Sequence, residues 1–194
     1  MVTHLRYGNT NTFVVSGEHG SLLVDTDYAG SLQQFYKAAK ECGIKVADIT
    51  YVMATHYHPD HMGLISELMS LGVKLVLMES QVDTVHFADH IFARDARLHY
   101  EPIDGSKARV VTFEDSRKFL DDLGIAGEII STPSHSADSV SVMLDEGVAI
   151  VGDLEPYEYL AGYEDNEMLK ADWDKIRSFD PETVWYAHAP CRRR

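Results

Sequence analysis

The chain has 194 residues, 45% of them hydrophobic and 25% charged, which suits one domain with a sizeable core. Its 17 Lys+Arg against 31 Asp+Glu give a formal net charge of −14, a surface that repels nucleic acid and anionic membranes. No run approaches the roughly 18 consecutive apolar residues of a membrane span.

From the N-terminus, residues 12–15 (TFVV) and 21–26 (SLLVDT) are β-rich runs separated by Gly17 and Gly20, the pattern of a hairpin. Residues 31–43 (SLQQFYKAAKECG) read as a helix with Ser31 or Gly30 near its cap and Gly43 at its end. Residues 48–55 (DITYVMAT) form a buried strand that runs into a histidine cluster. Residues 62–72 (MGLISELMSLG) follow as a helix, with Met62, Ile65, Leu68 and Met69 on one face and Gly72 as the stop. Residues 73–80 (VKLVLMES) predict another buried strand, residues 81–100 a helix, and residues 108–113 (ARVVTF) a strand. Residues 127–135 (GEIISTPSH) predict a strand ending in a turn. Residues 139–153 (SVSVMLDEGVAIVGD) predict a hairpin about Asp145-Glu146-Gly147. Residues 166–179 (NEMLKADWDKIRSF) read as an amphipathic helix carrying Leu169, Trp173 and Ile176, and residues 183–189 (TVWYAHA) as the last strand. Strands mixed with helices, with no linker or repeat between them, predict a single α/β or α+β layered domain over residues 1–194.

The stretch THYHPDH, residues 55–61, holds three of the chain's 10 histidines, and such crowding calls for a shared partner, most simply a metal. In extended backbone, residues two apart point the same way, so His56 and His58 can share one ion. Pro59 ends the strand. Asp60 and His61 then open the next helix and can face a second ion, and the positive end of the helix dipole favours Asp60 there. Three later residues each end a predicted strand: His135, Asp153 and His188. Strand ends are where layered α/β proteins gather their sites.

These residues, in this order, resemble the metallo-β-lactamase-fold hydrolase superfamily, whose hallmark is a His-x-His-x-Asp-His loop followed by a His, an Asp and a His at strand ends. The resemblance runs from NTFVV…LLVDT to YAHAP. It implies a four-layer αββα sandwich with the site at the edges of two sheets. It also implies ligand sets: His56, His58 and His135 for a first metal, Asp60, His61 and His188 for a second, and Asp153 as the bridge. Asp25 matches a family aspartate that supports the histidine loop. The familiar Thr-Pro-Gly-His-Thr-x-Gly-Ser is here Thr132-Pro133-Ser134-His135-Ser136-Ala137-Asp138-Ser139, in which Asp138 can take a left-handed backbone. The usual Gly-His-Gly is Ala187-His188-Ala189.

Five imidazoles and two carboxylates suit two divalent ions, zinc best, with iron or manganese as alternatives. His58 stands where the flavodiiron branch has a glutamate. The expected chemistry is a dinuclear hydrolase acting through a metal-bound hydroxide, with Asp60 as the catalytic carboxylate that orients it or shuttles its proton. The expected substrate is a small ester, thioester or lactone, neutral or singly charged with an apolar portion. A phosphodiesterase, a β-lactamase, and a non-hydrolytic di-iron protein handling oxygen or nitric oxide are the alternatives. Phe92, Tyr157 and Tyr186 are candidate pocket walls, within aromatic segments that also carry Phe87, Tyr100, Tyr159 and Tyr163. His86 and His90, four apart, read as an exposed pair. Two widely spaced cysteines, Cys42 and Cys191, and a first segment without an apolar core predict free thiols and a cytoplasmic setting. Arg192-Arg193-Arg194 reads as a solvated tail, so the expected partner is a small molecule, with neither nucleic acid nor membrane.

Overall fold

Alternation along single strands divides the chain into layers in the computed structural model, which describes residues 1–162 and 166–193. The elements in chain order are β1 (Val2–Arg6), β2 (Asn11–Ser16), β3 (Ser21–Val24), α1 (Leu32–Glu41), β4 (Tyr51–Met53), α2 (Pro59–Met62), α3 (Ile65–Ser70), β5 (Lys74–Met78), α4 (Asp89–Phe92) and β6 (Arg109–Val111). Then come α5 (Ser116–Asp121), β7 (Gly127–Ser131), β8 (Val140–Leu144), β9 (Val148–Ile150), α6 (Glu167–Arg177), β10 (Thr183–Trp185) and β11 (Arg192–Arg193).

One sheet has six strands in the order β1-β2-β3-β4-β5-β6, and the other has five in the order β11-β10-β9-β8-β7. β1 to β3 pair antiparallel through short turns, and β3 to β6 pair parallel. Parallel neighbours need crossovers, and α1 with the α2–α3 pair supplies the first two.

Phe13, Val15, Leu22, Val24, Met53 and Val76 of the first sheet face Ile129, Val140, Val142, Leu144 and Ile150 of the second. Their neighbours along the strands, Val14, Leu23, Val52 and Leu75, point the other way, onto Phe35 and Ala38 of α1 and Ile65 and Leu68 of α3. On the far side Met143, Ala149 and Val151 meet Leu169, Trp173 and Ile176 of α6. The result is helix, sheet, sheet, helix: the αββα sandwich. Strands covered on both faces read as apolar runs: LLV carries no polar alternation, and VSVML breaks only at Ser141, whose buried hydroxyl bonds Thr132 Oγ1 at 2.9 Å. Leu22 and Leu23 are both 0% exposed, and each such side chain contributes roughly 1.5–3 kcal/mol on burial.

Several expectations need correction. Residues 81–100 are mostly turns, with only the short α4 and a 3₁₀ turn at Ala96–Leu98. Thr84, Val85 and the local bonds of Asp95 to Arg97 compete with helix there. The expected helix over 62–72 is two short ones broken at Gly63 and Leu64. β1 and α5 escaped the sequence reading. Arg192 and Arg193 pair antiparallel with β10 rather than trailing in solvent, and Arg194 lies outside the described residues. Asp138 does not take the left-handed backbone, which among the described non-glycine residues belongs to Asp25, His99 and Asp180. Among the described residues no helix is long and apolar enough to cross a membrane.

Candidate metal centre

Asp25 follows β3, His56 follows β4, His135 follows β7, Asp153 follows β9 and His188 follows β10. The parallel strands of both sheets therefore deliver their C-terminal ends to one edge of the sandwich. Two close backbone approaches tighten that edge. A Cβ on Gly63 would stand 2.2 Å from the Ala29 nitrogen. A Cβ on Gly152, at φ +59, would stand 2.5 Å from Thr55 Oγ1.

The seven residues singled out by the sequence fall into two groups. In the first, His56 Nε2 lies 2.9 Å from His58 Nδ1, and His135 Nε2 lies 3.2 Å from the same atom. Asp153 Oδ2 approaches His56 Nε2 to 3.8 Å and His135 Nε2 to 3.7 Å. In the second, His188 Nε2 lies 3.1 Å from Asp60 Oδ2, and Asp153 Oδ1 lies 3.3 Å from His61 Nε2 and 3.2 Å from His188 Nε2. Each group offers ligand atoms within 4.8 Å of one another. Asp153 gives one oxygen to each.

The far sides of the rings are held. Asp25 Oδ2 lies 3.1 Å from His61 Nδ1, and Asp25 Oδ1 accepts from the Thr55 N–H at 2.6 Å. Both Asp25 and His61 are fully buried. Asp25 sits at φ 61, a cost of order 1 kcal/mol or more that the surroundings must impose. His188 Nδ1 meets the Asn9 carbonyl at 3.1 Å, and Asn9 is itself held by Asp27. A ligating histidine that gives its other N–H to a carboxylate or carbonyl keeps a lone pair for the cluster.

Charge is distributed unevenly. Burial, reinforced by the neighbouring imidazoles, pushes His56 far below the usual histidine range, and burial also lowers His135. Burial would lower His61 as well, but Asp25 and Asp153 outweigh it and raise that ring to about 10. The hydrogen bond that His188 donates to Asp60 raises His188. Burial would raise Asp60, yet His188 and His61 bring it down to about 2. His56 and His135 are thus neutral imidazoles, while His61 and His188 sit in a negative field.

The fit to a cation rests on two orphaned atoms. His61 Nε2 and Asp153 Oδ1 are both buried without a hydrogen-bond partner. With Nδ1–H directed at Asp25, the two face each other as lone pairs, which repel unless a proton or a cation lies between them. The field that holds a proton on His61 would hold a metal ion in its place. The donor set of imidazole and carboxylate suits such an ion.

The candidate pocket walls are less well placed. A cavity of about 320 Å³ beside the cluster is lined by His135, Asp153, Glu155, Tyr159, Tyr186 and His188. Phe92 is not on it: the ring is 1% exposed and packed on Tyr28 and Tyr100. Tyr157 lines a separate cavity of about 690 Å³ between α6 and the β10–β11 edge, under the Arg177 guanidinium. That cavity is larger, but the ligand cluster does not reach it. Tyr186, 3% exposed, is the wall between the two. Tyr163 lies outside the described residues. The exposed ring next to the cluster is Phe87, 5.4 Å from the His58 ring. His86 and His90 are both exposed, and His86 is bonded to Asp89 at 2.9 Å. Sequence reasoning also missed three buried polar residues around the ligand loops, Gln81, Asp138 and Asp172. Asp172 accepts from the Ser134 N–H at 2.8 Å. Their ties to the ligand loops reach residues dozens of positions away, so no local pattern marks that role.

A family model described as the metallo-beta-lactamase superfamily matches residues 5–188. A Drosophila melanogaster protein named beta-lactamase-like protein 2 homolog is 23% identical over 92% of this chain and 58% of its own length. An atrochrysone carboxyl ACP thioesterase of Pseudocercospora fijiensis is 25% identical over 71% of this chain and 34% of its own. The chain therefore spans well under two thirds of either relative. Among solved structures, the B3 metallo-beta-lactamase BLEG-1 superposes with TM-score 0.70 at 20% identity, covering 100% of this chain and 94% of that one. An archaeal metallo-beta-lactamase superfamily protein from Sulfolobus tokodaii gives 0.69 at 18%, covering 99% and 81%. Likeness at these identities shows the fold.

Proposed function

We propose that this chain, which belongs to the metallo-beta-lactamase superfamily, is a hydrolase that holds two divalent ions, zinc first among them, and cleaves a small ester, thioester or lactone. The observation that carries the reading is the divided carboxylate of Asp153, with Oδ2 toward the three histidines and Oδ1 toward His61 and His188. His56, His58 and His135 would hold one ion and Asp60, His61 and His188 the other. Such a pair, when bound, acidifies a shared water and stabilises negative charge on a carbonyl oxygen.

The chain's own groups divide the remaining work. Asp60, held ionised, can accept a hydrogen bond from the attacking water at Oδ2 and carry its proton toward the leaving group. Asp25 and the Asn9 carbonyl fix the rings of His61 and His188. The described walls beyond the cluster are Glu155, Tyr159, Tyr186 and Phe87. They suit a small substrate with an apolar portion better than a polyanion, which needs Lys and Arg contacts. The fungal relative's name supports a thioester among the candidates. A small-molecule partner and a cytoplasmic setting belong to the same reading.

A panel of ester, thioester, lactone, β-lactam, bis-aryl phosphodiester and RNA substrates, run beside elemental analysis, tests it. Turnover of a carbonyl substrate by protein carrying near two metals per chain is expected. Metal content staying near zero after zinc is added back, or far faster turnover of the phosphodiester or RNA, would overturn it.

A second expectation concerns protons. His61 and His188 have raised pKa values, so an ion at that group displaces protons, and its affinity climbs as pH rises. His56 and His135 are lowered and already neutral, so the other ion displaces few. Calorimetry at pH 7 in buffers of different ionisation heat should separate one event releasing about one proton or more from another releasing almost none. In metal-free protein the raised His61 stabilises the fold fully below about 6.5 and loses that contribution as pH rises through about 10. Equal proton release at both steps would count against these assignments.

A further inference from the structure

The two loops that bring His56, His58 and His135 together come from different sheets, and something must hold them in register. Asp138 lies between them, 5% exposed. Its Oδ2 accepts from the Tyr57 N–H at 2.8 Å, the amide between His56 and His58. The same oxygen accepts from Thr84 Oγ1 at 3.2 Å. Its Oδ1 accepts from Ser136 Oγ at 2.7 Å, one residue beyond His135. Its carbonyl accepts from Gln81 Nε2 at 3.2 Å, and the same Nε2 donates to the Ala54 carbonyl at 2.9 Å, two residues before His56.

We infer that Asp138 is a positioning residue for the three-histidine group, its carboxylate locking the His56–His58 loop of one sheet to the His135 loop of the other. The inference rests on the reading of the cluster as a metal centre. The direct backbone tie between these loops, Val140 N–H to the Thr55 carbonyl at 2.9 Å, lies outside the histidine span and gives the Tyr57 amide no partner. Asp138 is what satisfies the Tyr57 amide, and a buried N–H without a partner is costly. Cut the lock, and the His58 and His135 rings lose their shared frame while His61 and His188, fixed by Asp25 and Asn9, keep theirs. Glycine stands at this place in the motif the chain resembles, so the motif itself does not supply this carboxylate.

The atoms predict which substitution is tolerated. In Asp138→Asn the amide oxygen can still take the Tyr57 N–H and Thr84, and the NH₂ can donate to Ser136 Oγ, which turns to the Ser139 hydroxyl now 2.7 Å away. Asp138→Ala and Asp138→Gly keep none of these bonds.

The test uses the full chain and stepwise zinc removal by a chelator of known affinity, with amide exchange at Tyr57 read on the metal-free protein. Asp138→Ala and Asp138→Gly are expected to weaken one ion by about 10- to 100-fold, the size typical of groups that orient ligands, and to leave the other within about threefold. Tyr57 exchange should speed up in both, and Asp138→Asn should restore most of the affinity. Should Asp138→Ala not fold, Ser136→Ala, which removes one of the three side-chain bonds, is expected to show a smaller loss confined to the same ion. Equal losses at both ions, or unchanged affinity beside faster Tyr57 exchange, would reduce Asp138 to a structural role and overturn the inference alone. Wild-type protein that takes up no ion would overturn the metal-centre reading and this inference with it.

Discussion

Asp153→Ala is expected to abolish the proposed turnover of a carbonyl substrate and to weaken both proposed ions, by more than the ~100-fold that loss of an orienting partner costs. Its two carboxylate oxygens divide between the groups. Oδ1 faces His61 and His188 at 3.3 and 3.2 Å, and Oδ2 faces His56 and His135 at 3.8 and 3.7 Å. Two cations so close repel each other strongly, and the carboxylate between them offsets part of that repulsion. His188→Ala makes the contrast: its Nε2 meets only Asp60 and Asp153 Oδ1, so one ion should weaken and the other stay. Metals per chain after dialysis, with kcat/KM on the same samples, reads both variants. Full turnover by Asp153→Ala would remove Asp153 as the bridge. Equal metal loss from the two variants would deny the division into groups.

Legibility in the sequence followed the range of the interaction. The histidine loop was legible because strand alternation and the Pro59 break act over a few residues and set where each side chain points. The β2–β3 and β8–β9 hairpins were legible because their turns are local. The segment from 81 to 100 was not. Its apolar residues fit a helical face, yet short-range bonds of Asp89 and Asp95 and the left-handed His99 break it into turns. Once the period is wrong, so is the choice of face, and Phe92 was placed at a wall when Phe87 is the exposed ring. α5 left a trace in Phe119, Leu120 and Leu123 that went unread. The ties of Asp138 to the Tyr57 amide and of Asp172 to the Ser134 amide could not be read, because they span 81 and 38 residues. The roles expected of Asp25 and of Asp153 as the bridge came from the family resemblance, since periodicity alone did not assign them.

The swap between Phe92 and Phe87 leads to the other large effect. Phe92→Ala is expected to destabilise the fold by about 3–5 kcal/mol, the usual cost of emptying a buried phenyl site. The ring is 1% exposed, with Tyr28 and Tyr100 rings at 4.9 and 4.3 Å, and it belongs to the cluster under the first sheet that also holds Tyr57. Against a total of about 5–15 kcal/mol for a domain, that loss leaves a marginal protein. The folded fraction should nevertheless bind metal and discriminate substrates as before, because Phe92 touches neither the ligand atoms nor the cavity beside them. Phe87→Ala should do the reverse. Its ring is 49% exposed and lies 5.4 Å from the His58 ring. Removing it should change stability by no more than about 0.5 kcal/mol but alter KM across substrates of different apolar bulk. Urea denaturation gives the stability difference, and KM over the ester and lactone series gives the specificity difference. Phe92→Ala that unfolds at the wild-type midpoint, or that changes KM while Phe87→Ala does not, would return Phe92 to the pocket wall and show that the 81–100 segment packs in another way.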